Sequence, residues 1–448
     1  MTDARIDNQD DTWRLGVVAA AAFAVAAVLR PIAATLLAIV GVSLLIASVS
    51  GAQRLARAIT PLRMTAVTIA VALAAIVVPQ PLHGSPPWAV ARGLHAIALV
   101  FALVCFASPI LERRLRGVVA AVLVIFSIGA GSWLIQTTRG SGLDIVLLHE
   151  SAAAALARGE NPYGNAVTAP NGAPGVPAGS MIVGYPYPPI VAVMYSAGTW
   201  LTGEPRWVSL ACWIVLLVSL LSRLHENPNR SLIPVLMLAA FPGWGVMLQS
   251  GWTEPLSAAL LAVAAVLWRS PTSSGVALGC ALGSKQYFIA MVPALLRWRD
   301  AGWQRRVATA LMVAAVTVVP ALIWSPMDDV WRSLVAFHTS TPLRPDSQNI
   351  VGALAAAGWS WAPPVWLALL LAAGAVAVVP FLRDRTACWR GAAIGLAVLF
   401  LFSRQAMPNY WYLVAVIALL GSISVERRSA TLDPTQNRPG TTRQRTLA

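Results

Sequence analysis

The sequence predicts an all-α protein: a polytopic bundle of about 13–14 transmembrane helices with short helices in one large external loop. Three observations predict it. Hydrophobic residues make up 57% of the 448 and charged residues 11%, less than half the roughly 25% usual in globular chains. The apolar residues fall into runs close to the roughly 20 residues that a helix needs to cross a bilayer. The arginines collect in the short links between those runs, where they set orientation, so the net charge of +14 is a topology signal and no nucleic-acid partner is expected.

Runs at 13–29 and 32–50 come first. The N-terminus before them carries Asp3, Asp7, Asp10 and Asp11 and lacks the basic start of a cleaved signal peptide. A link with Arg54, Arg57 and Arg63 leads to runs at 64–78 and 88–107, and a link with Arg113, Arg114 and Arg116 leads to a run at 117–135. Arginine-rich links stay cytoplasmic. This places the N-terminus inside and the segment 136–189 outside, Asp144 with it.

That segment is the long polar interruption of the chain. Asp144 opens a helix-like stretch over 143–158, with Arg158 in its last turn and Gly159 as its stop. His149 and Glu150 lie five and six positions after Asp144, on other faces of that helix, and are expected to meet solvent or headgroups. Gly-Glu-Asn-Pro-Tyr-Gly at 159–164 reads as a turn. Tyr185 and Tyr187 stand on a stretch stiffened by Pro186, Pro188 and Pro189, which reads as polyproline II.

Further runs follow at 190–201, 207–221, 232–247, 255–268, 275–296 and 307–324. The link 297–306 holds Arg297, Arg299, Arg305 and Arg306, so it is expected in the cytoplasm, and 325–349 becomes a second external loop. Runs at 364–381, 391–402 and 410–424 complete the set. The polar tail 425–448 is expected to be disordered and cytoplasmic. The chain then divides into N-terminal helices (1–116), a second membrane module (117–424) that holds both external loops, and the tail. Arg223 and Arg230 favour the cytoplasm for the link 222–230, whereas counting runs puts it outside. A broken or re-entrant segment near 283–285 removes the conflict.

Cys105, Cys212, Cys280 and Cys388 have no paired spacing, which indicates neither a metal site nor a disulfide framework. The P-loop, GxGxxG, HExxH and GxSxG patterns are missing, so use of ATP or a soluble nucleotide is not expected, and no cofactor is. A general base working outside must come from Asp144, Glu150, Glu160, Asp328, Asp329 or Asp346, or from His149 or His338. Asp144 stands just past a run's end, where a membrane-bound substrate meets water; it serves equally well as a helix cap.

Lys285 is the only lysine, and like Glu254 it interrupts an apolar run. An ionised side chain at a helix centre costs roughly 2.5–3.5 kcal/mol on insertion scales, so it needs a polar cavity or a partner. Either Lys285 meets a lipid phosphate, or it pairs with Glu254. Arg344 and Arg404 are further phosphate candidates; their alternatives are a contact with Asp346 and an interfacial anchor. Tyr163, Tyr185 and Tyr187 could stack on a sugar or form an aromatic belt. With Glu254 and His338 they make up the candidate sugar and acceptor side.

Asp144, then Arg158-Gly159-Glu160-Asn161-Pro162-Tyr163, then Tyr185-Pro186-Tyr187-Pro188-Pro189, supported by Glu254, Lys285 and Asn409-Tyr410, resembles the membrane-embedded GT-C glycosyltransferases. The pattern is most similar to glycosyltransferase family 87, the polyprenol-phosphate-mannose-dependent mannosyltransferases. The resemblance spans about 117–424. It implies a GT-C-like helix bundle, a polyprenyl-phosphate sugar donor, an inverting transfer, and an outer-loop aspartate, by position Asp144, that deprotonates the acceptor hydroxyl. Two features depart from the family pattern. Five runs precede the loop where one or few are usual, and Ser250-Gly251-Trp252-Thr253 replaces the usual histidine or glutamine near Glu254. The expectation is a multi-pass plasma-membrane hexosyltransferase that moves mannose to a glycolipid or glycan acceptor. The alternative is a flippase or transporter of a lipid-linked sugar, for which Asp144 need not act as a base.

Overall fold

The computed structural model describes residues 12–26, 31–50, 52, 55, 58–59, 109–139, 144–168, 181–225, 233–239, 243–298, 300–340, 343–361, 363–379 and 385–423. The expected runs at 64–78 and 88–107 and the tail at 425–448 lie outside the described residues. Within them the protein is an all-α bundle. The described strands, β1 (Ala166–Thr168) and β2 (Met181–Val183), form one small antiparallel pair with Val167 opposite Ile182.

The helices are α1 (Thr12–Ala26), α2 (Pro31–Val49), α3 (Pro109–Thr137), α4 (Asp144–Ala157), α5 (Pro189–Thr202), α6 (Arg206–His225), α7 (Ile233–Ala239) and α8 (Gly243–Ser250). They continue as α9 (Glu254–Val266), α10 (Pro271–Leu282), α11 (Val292–Arg297), α12 (Trp303–Trp324), α13 (Met327–Trp331) and α14 (Phe337–Ser340). The last four are α15 (Ile350–Ala356), α16 (Val365–Val378), α17 (Arg385–Phe402) and α18 (Pro408–Ile423). Among the described residues, α2, α3, α6, α12 and α17 are long and apolar enough to cross a membrane; α1, α16 and α18 are shorter apolar helices.

Helices α17 and α18 are predominantly apolar and buried over almost their whole length, Arg385 and Arg390 at the start of α17 included, as helices without an exposed polar face must be. Helix α1 packs against α18 and α2. Helices α3 and α12 turn large apolar side chains outward, Ile125 and Val316 among them, the surface a lipid solvent tolerates and water does not.

The structure differs from the expectation in four places. Arg113, Arg114 and Arg116 do not form a link but belong to the first turns of α3, which starts at Pro109, a residue suited to a helix start. The run at 232–247 is split into α7 and α8. Half of the expected loop 325–349 is helical: α13, a π-helical turn at 332–336 and α14 form one stretch from 327 to 340. Asp144 is the first residue of α4 rather than the cap before it, and its Oδ1 accepts from the Ile145 N–H at 2.9 Å. Gly159 does stop the helix, with φ +70°. The break expected near 283–285 is present. α10 ends at Leu282, Lys285 is extended (φ −151°, ψ 136°), and a 3₁₀ helix at Gln286–Met291 leads into α11.

Candidate active site

Two clamps fix the segment between α3 and α5. The first is Arg206, 1% exposed, at the start of α6. Its Nε and Nη2 grip the Glu204 carboxylate at 2.8 and 2.9 Å, while Nη1 donates to Thr138 Oγ1 at 2.7 Å and Nη2 to the Ile135 carbonyl at 3.3 Å. A buried guanidinium has to fill its donor fork, and here doing so ties the end of α3 to α6. Sequence reasoning singled out neither Arg206 nor Glu204.

The second clamp is the Asn161 turn. Asn161 Oδ1 accepts from the Tyr163 N–H at 2.9 Å and from Ser325 Oγ at 2.7 Å, and its Nδ2 donates to Asp329 at 3.3 Å. Asp329, one of the carboxylates considered as a base, is thus engaged in docking. Ser333 Oγ donates to the Tyr163 carbonyl at 3.0 Å. The hairpin β1–β2 then returns the chain through Gly184 (φ +87°), where a Cβ would stand 1.8 Å from Ser333 Oγ. Only glycine fits that approach.

From Gly184 the chain enters Tyr185–Pro189. Pro188 has φ −60° and ψ 160°, the expected polyproline geometry. The Pro186 carbonyl is held by Gln286 Nε2 and His338 Nε2, both at 3.1 Å. His338, considered for sugar binding, therefore spends Nε2 on the backbone. Tyr163 and Tyr185 are 3% and 1% exposed. Their hydroxyls contact the Tyr187 carbonyl at 3.2 Å and His149 Nδ1 at 2.8 Å. Both rings are buried beside Tyr187, which is 7% exposed, and Tyr185 stands edge-on to each of the other two.

Tyr187 is where the candidate residues meet. Lys285 Nζ lies 4.4 Å from its ring centre, a cation–π contact. Lys285 also pairs with Glu254 Oε1 at 2.8 Å, both side chains being buried, and Tyr287 donates to the same oxygen at 3.0 Å. The two charges that interrupt apolar runs thus meet each other, one from the first turn of α9 and one from the break after α10. Burial pushes the Tyr187 phenol well above its ordinary range, and the negative charges of Glu254 and, more weakly, Asp144 add to this. Asp144 Oδ2 has no hydrogen bond among the described residues. Two buried oxygens here, Glu254 Oε2 and Asn409 Oδ1, have no hydrogen-bond partner within normal limits, and the Asn409 side chain interacts with the Glu254 carboxylate.

The remaining phosphate candidates are engaged. Arg344 meets Asp346 through two bonds, at 3.1 and 2.8 Å, so a phosphate would have to displace that carboxylate. Arg404 Nη1 donates to the Thr339 carbonyl at 2.8 Å, and its buried Nε has no acceptor.

His149 reverses its expectation. It is fully buried, stacks on Tyr195 at 4.1 Å, and bonds Tyr185 through Nδ1 and the Gly251 carbonyl through Nε2 at 3.1 Å. A carbonyl only accepts, so Nε2 carries the proton and Nδ1 accepts from the tyrosine. Burial pushes the imidazole down to about 3, and His149 is neutral and structural. Because its folded value lies below its unfolded value near 6.5, its contribution to stability is complete above about pH 6.5 and is lost as pH falls toward 3. His149→Gln keeps a donor and an acceptor. It should flatten the acid dependence of the thermal midpoint between those limits, and an unchanged acid slope would show that His149 is not buried neutral.

Comparison with known proteins bears on the same residues. No curated protein and no solved structure matches the chain. Residues 185–422, more than half of the chain, match the sequence model of glycosyltransferase family 87. The match opens at Tyr185 and takes in Glu254, Lys285 and Asn409, the centre built above. The chain belongs to glycosyltransferase family 87 and is a membrane glycosyltransferase.

Proposed function

We propose that the protein transfers a hexose, mannose in the first instance, from a polyprenyl-phosphate donor to a glycolipid or glycan at the extracytoplasmic face of the plasma membrane. The observation that carries this reading is the buried Lys285, paired with Glu254 and set against the ring of Tyr187 in the electrostatic environment of Asp144. The leaving group of such a donor is already a phosphate. It needs positive charge rather than a proton, which Lys285 supplies; Arg344 would add to it only once released from Asp346, and Arg404 is held on the Thr339 carbonyl. The acceptor oxygen attacks the anomeric carbon from the face opposite the phosphate. The carbon–oxygen bond to phosphate breaks, polyprenyl phosphate leaves with the electron pair, and the acceptor proton passes to Asp144 Oδ2. The configuration inverts. Glu254 Oε2 and Asn409 Oδ1 accept hydrogen bonds from the sugar hydroxyls. Asp144 precedes the family-matched stretch, so its role rests on its open oxygen and its effect on Tyr187. Family membership favours this transfer over the flippase reading.

Glycolipid and glycan profiling of a deletion strain tests the reading. The expected result is loss of one mannosylated species with accumulation of its unmannosylated precursor. Loss of the whole lineage, with precursor held on the cytoplasmic side, would favour the flippase. Orientation is tested separately in a background without native cysteines. Cysteines introduced at Ser141 and Ser340 should react with an impermeant thiol reagent in intact cells, and one at Arg114 should not. Labelling at Arg114 would move Asp144 to the cytoplasmic side and end this reading.

A further inference from the structure

The apolar run at 190–201 reads as a crossing helix, yet the contacts of α5 place it elsewhere. The helix has 14 residues, about 21 Å of axis, against a hydrocarbon core of about 30 Å. Its front, middle and end all reach one stretch, 249–252, where α8 gives way to α9. In front of α5, the Tyr187 ring stacks 5.7 Å from that of His149, which bonds the Gly251 carbonyl. At its middle, the Tyr195 hydroxyl donates to the Trp252 carbonyl at 3.3 Å. Behind it, Arg206 Nη1 donates to the Gln249 carbonyl at 3.3 Å, and Arg139, just past the end of α3, donates to the Gly203 carbonyl at 3.4 Å. A crossing helix carries its two ends to opposite faces. Both ends of α5 stay at the face where α3 ends and α9 begins, so α5 lies across that end of the bundle.

The side that α5 turns away from the bundle is apolar. Val191, Ala192, Tyr195 and Ser196 are buried. Val193, Met194, Trp200 and Leu201 are exposed, Leu201 at 85%, and their spacing of one, seven and eight residues from Val193 returns to a single helix face. Large apolar side chains exposed singly are ordinary; a stripe of them marks a contact surface. This stripe continues a surface already suited to lipid. Ala321, near the end of the membrane-length helix α12, shares a buried cluster with Val191, Ala192 and Tyr195. Ile323 and Trp324, which follow it, are exposed, as is Trp331. Tryptophan collects where acyl chains meet headgroups. Trp200 donates its N–H to the Ala153 carbonyl at 3.1 Å, so its ring can enter lipid with no polar atom left unmatched.

We propose that α5 is an interfacial helix that lies in the bilayer surface on the Asp144 side, with Val193, Met194, Trp200 and Leu201 among the upper acyl chains. Helix α6 then starts at this surface and, being long enough to cross, carries Arg223 to the cytoplasmic side, which its charge favours. There Arg223 donates to the carbonyl of Ala265, close to the far end of α9. Because α5 begins two residues after Tyr187, the same lipid contact sets the Tyr187–Lys285 contact at headgroup depth.

The test uses the full chain in phosphatidylcholine nanodiscs, with the native cysteines replaced and a nitroxide attached in turn at Val193, Met194, Trp200 and Leu201. These side chains point outward, so the label leaves the core intact. Collisions with oxygen, which enters lipid, and with a neutral nickel chelate, which stays in water, give the depth of each label. The expected result is one depth for all four, roughly 5–10 Å into the boundary between headgroups and acyl chains, shared by a label at Ile323. A crossing helix would spread the labels over about 12 Å between 193 and 201, at about 1.5 Å per residue, and that spread would overturn the proposal. Strong nickel collisions at all four positions would show a face in water, and weak collisions with both reagents a face covered by protein; either would overturn it too. A second measurement needs no label. Trp200→Phe should reduce the part of the tryptophan emission quenched by lipids brominated close to the headgroup, and unchanged quenching would count against the placement independently.

Discussion

Asp144→Asn should yield a protein made and inserted at normal levels that transfers sugar about 10²–10⁴-fold more slowly, the range that loss of a general base typically costs. The substitution keeps the size of the side chain. Asparagine Oδ1 can still accept from the Ile145 N–H, as Asp144 Oδ1 does at 2.9 Å. At the first residue of α4 the carboxylate also interacts with the helix dipole, and losing that charge costs only about 0.3–1 kcal/mol. What disappears is an oxygen able to take a proton. Asp144→Ala should be inactive as well, and somewhat less stable, because the contact with Ile145 is lost too. A protein that only moves a lipid-linked sugar predicts the reverse, with asparagine tolerated and alanine harmful through stability alone. The assay is complementation of the deletion's glycan defect, with protein level measured in parallel. Full complementation by Asp144→Asn would remove Asp144 as the base.

What was legible in the sequence was mostly local. The stop of α4 at Gly159, the polyproline geometry of Pro188 before α5 and the break before Lys285 follow from glycine and proline, whose backbone preferences act over one or two residues. Burial between distant elements was not legible. Helical spacing correctly separates His149 from Asp144, but it cannot show that Gly251, 102 residues away, waits for its proton. Without that partner a histidine in a polar loop reads as solvated. Arg306 shows the same limit for charge. An arginine between apolar runs reads as a topology marker, and only the stacked faces of Trp268 and Trp298 turn it into a buried group. The Glu254–Lys285 pair lay between these cases. Two charges in apolar runs had to find partners, but whether each other or a ligand depended on a distance across the bundle.

Lys285→Met separates those two partners. The pair lies at 2.8 Å with neither member open to solvent. Removing the lysine alone leaves Glu254 as an uncompensated buried charge, which typically costs about 3–5 kcal/mol. The single variant should therefore be both unstable and inactive, which by itself decides nothing. Glu254→Gln alone measures what Glu254 contributes to activity in its own right. The double variant, Lys285→Met with Glu254→Gln, removes both charges and should recover most of the stability, since replacing a whole buried pair is often close to neutral. If Lys285 stabilises the departing phosphate, activity should remain about 10²–10³-fold below that of Glu254→Gln, the usual loss for one preorganised electrostatic donor. The measurements are thermal midpoint and transfer rate from polyprenyl-phosphate mannose in reconstituted vesicles. Recovery of both in the double variant would make the pair purely structural, and the positive charge for the leaving group would then have to come from Arg404 or from Arg344 released by Asp346.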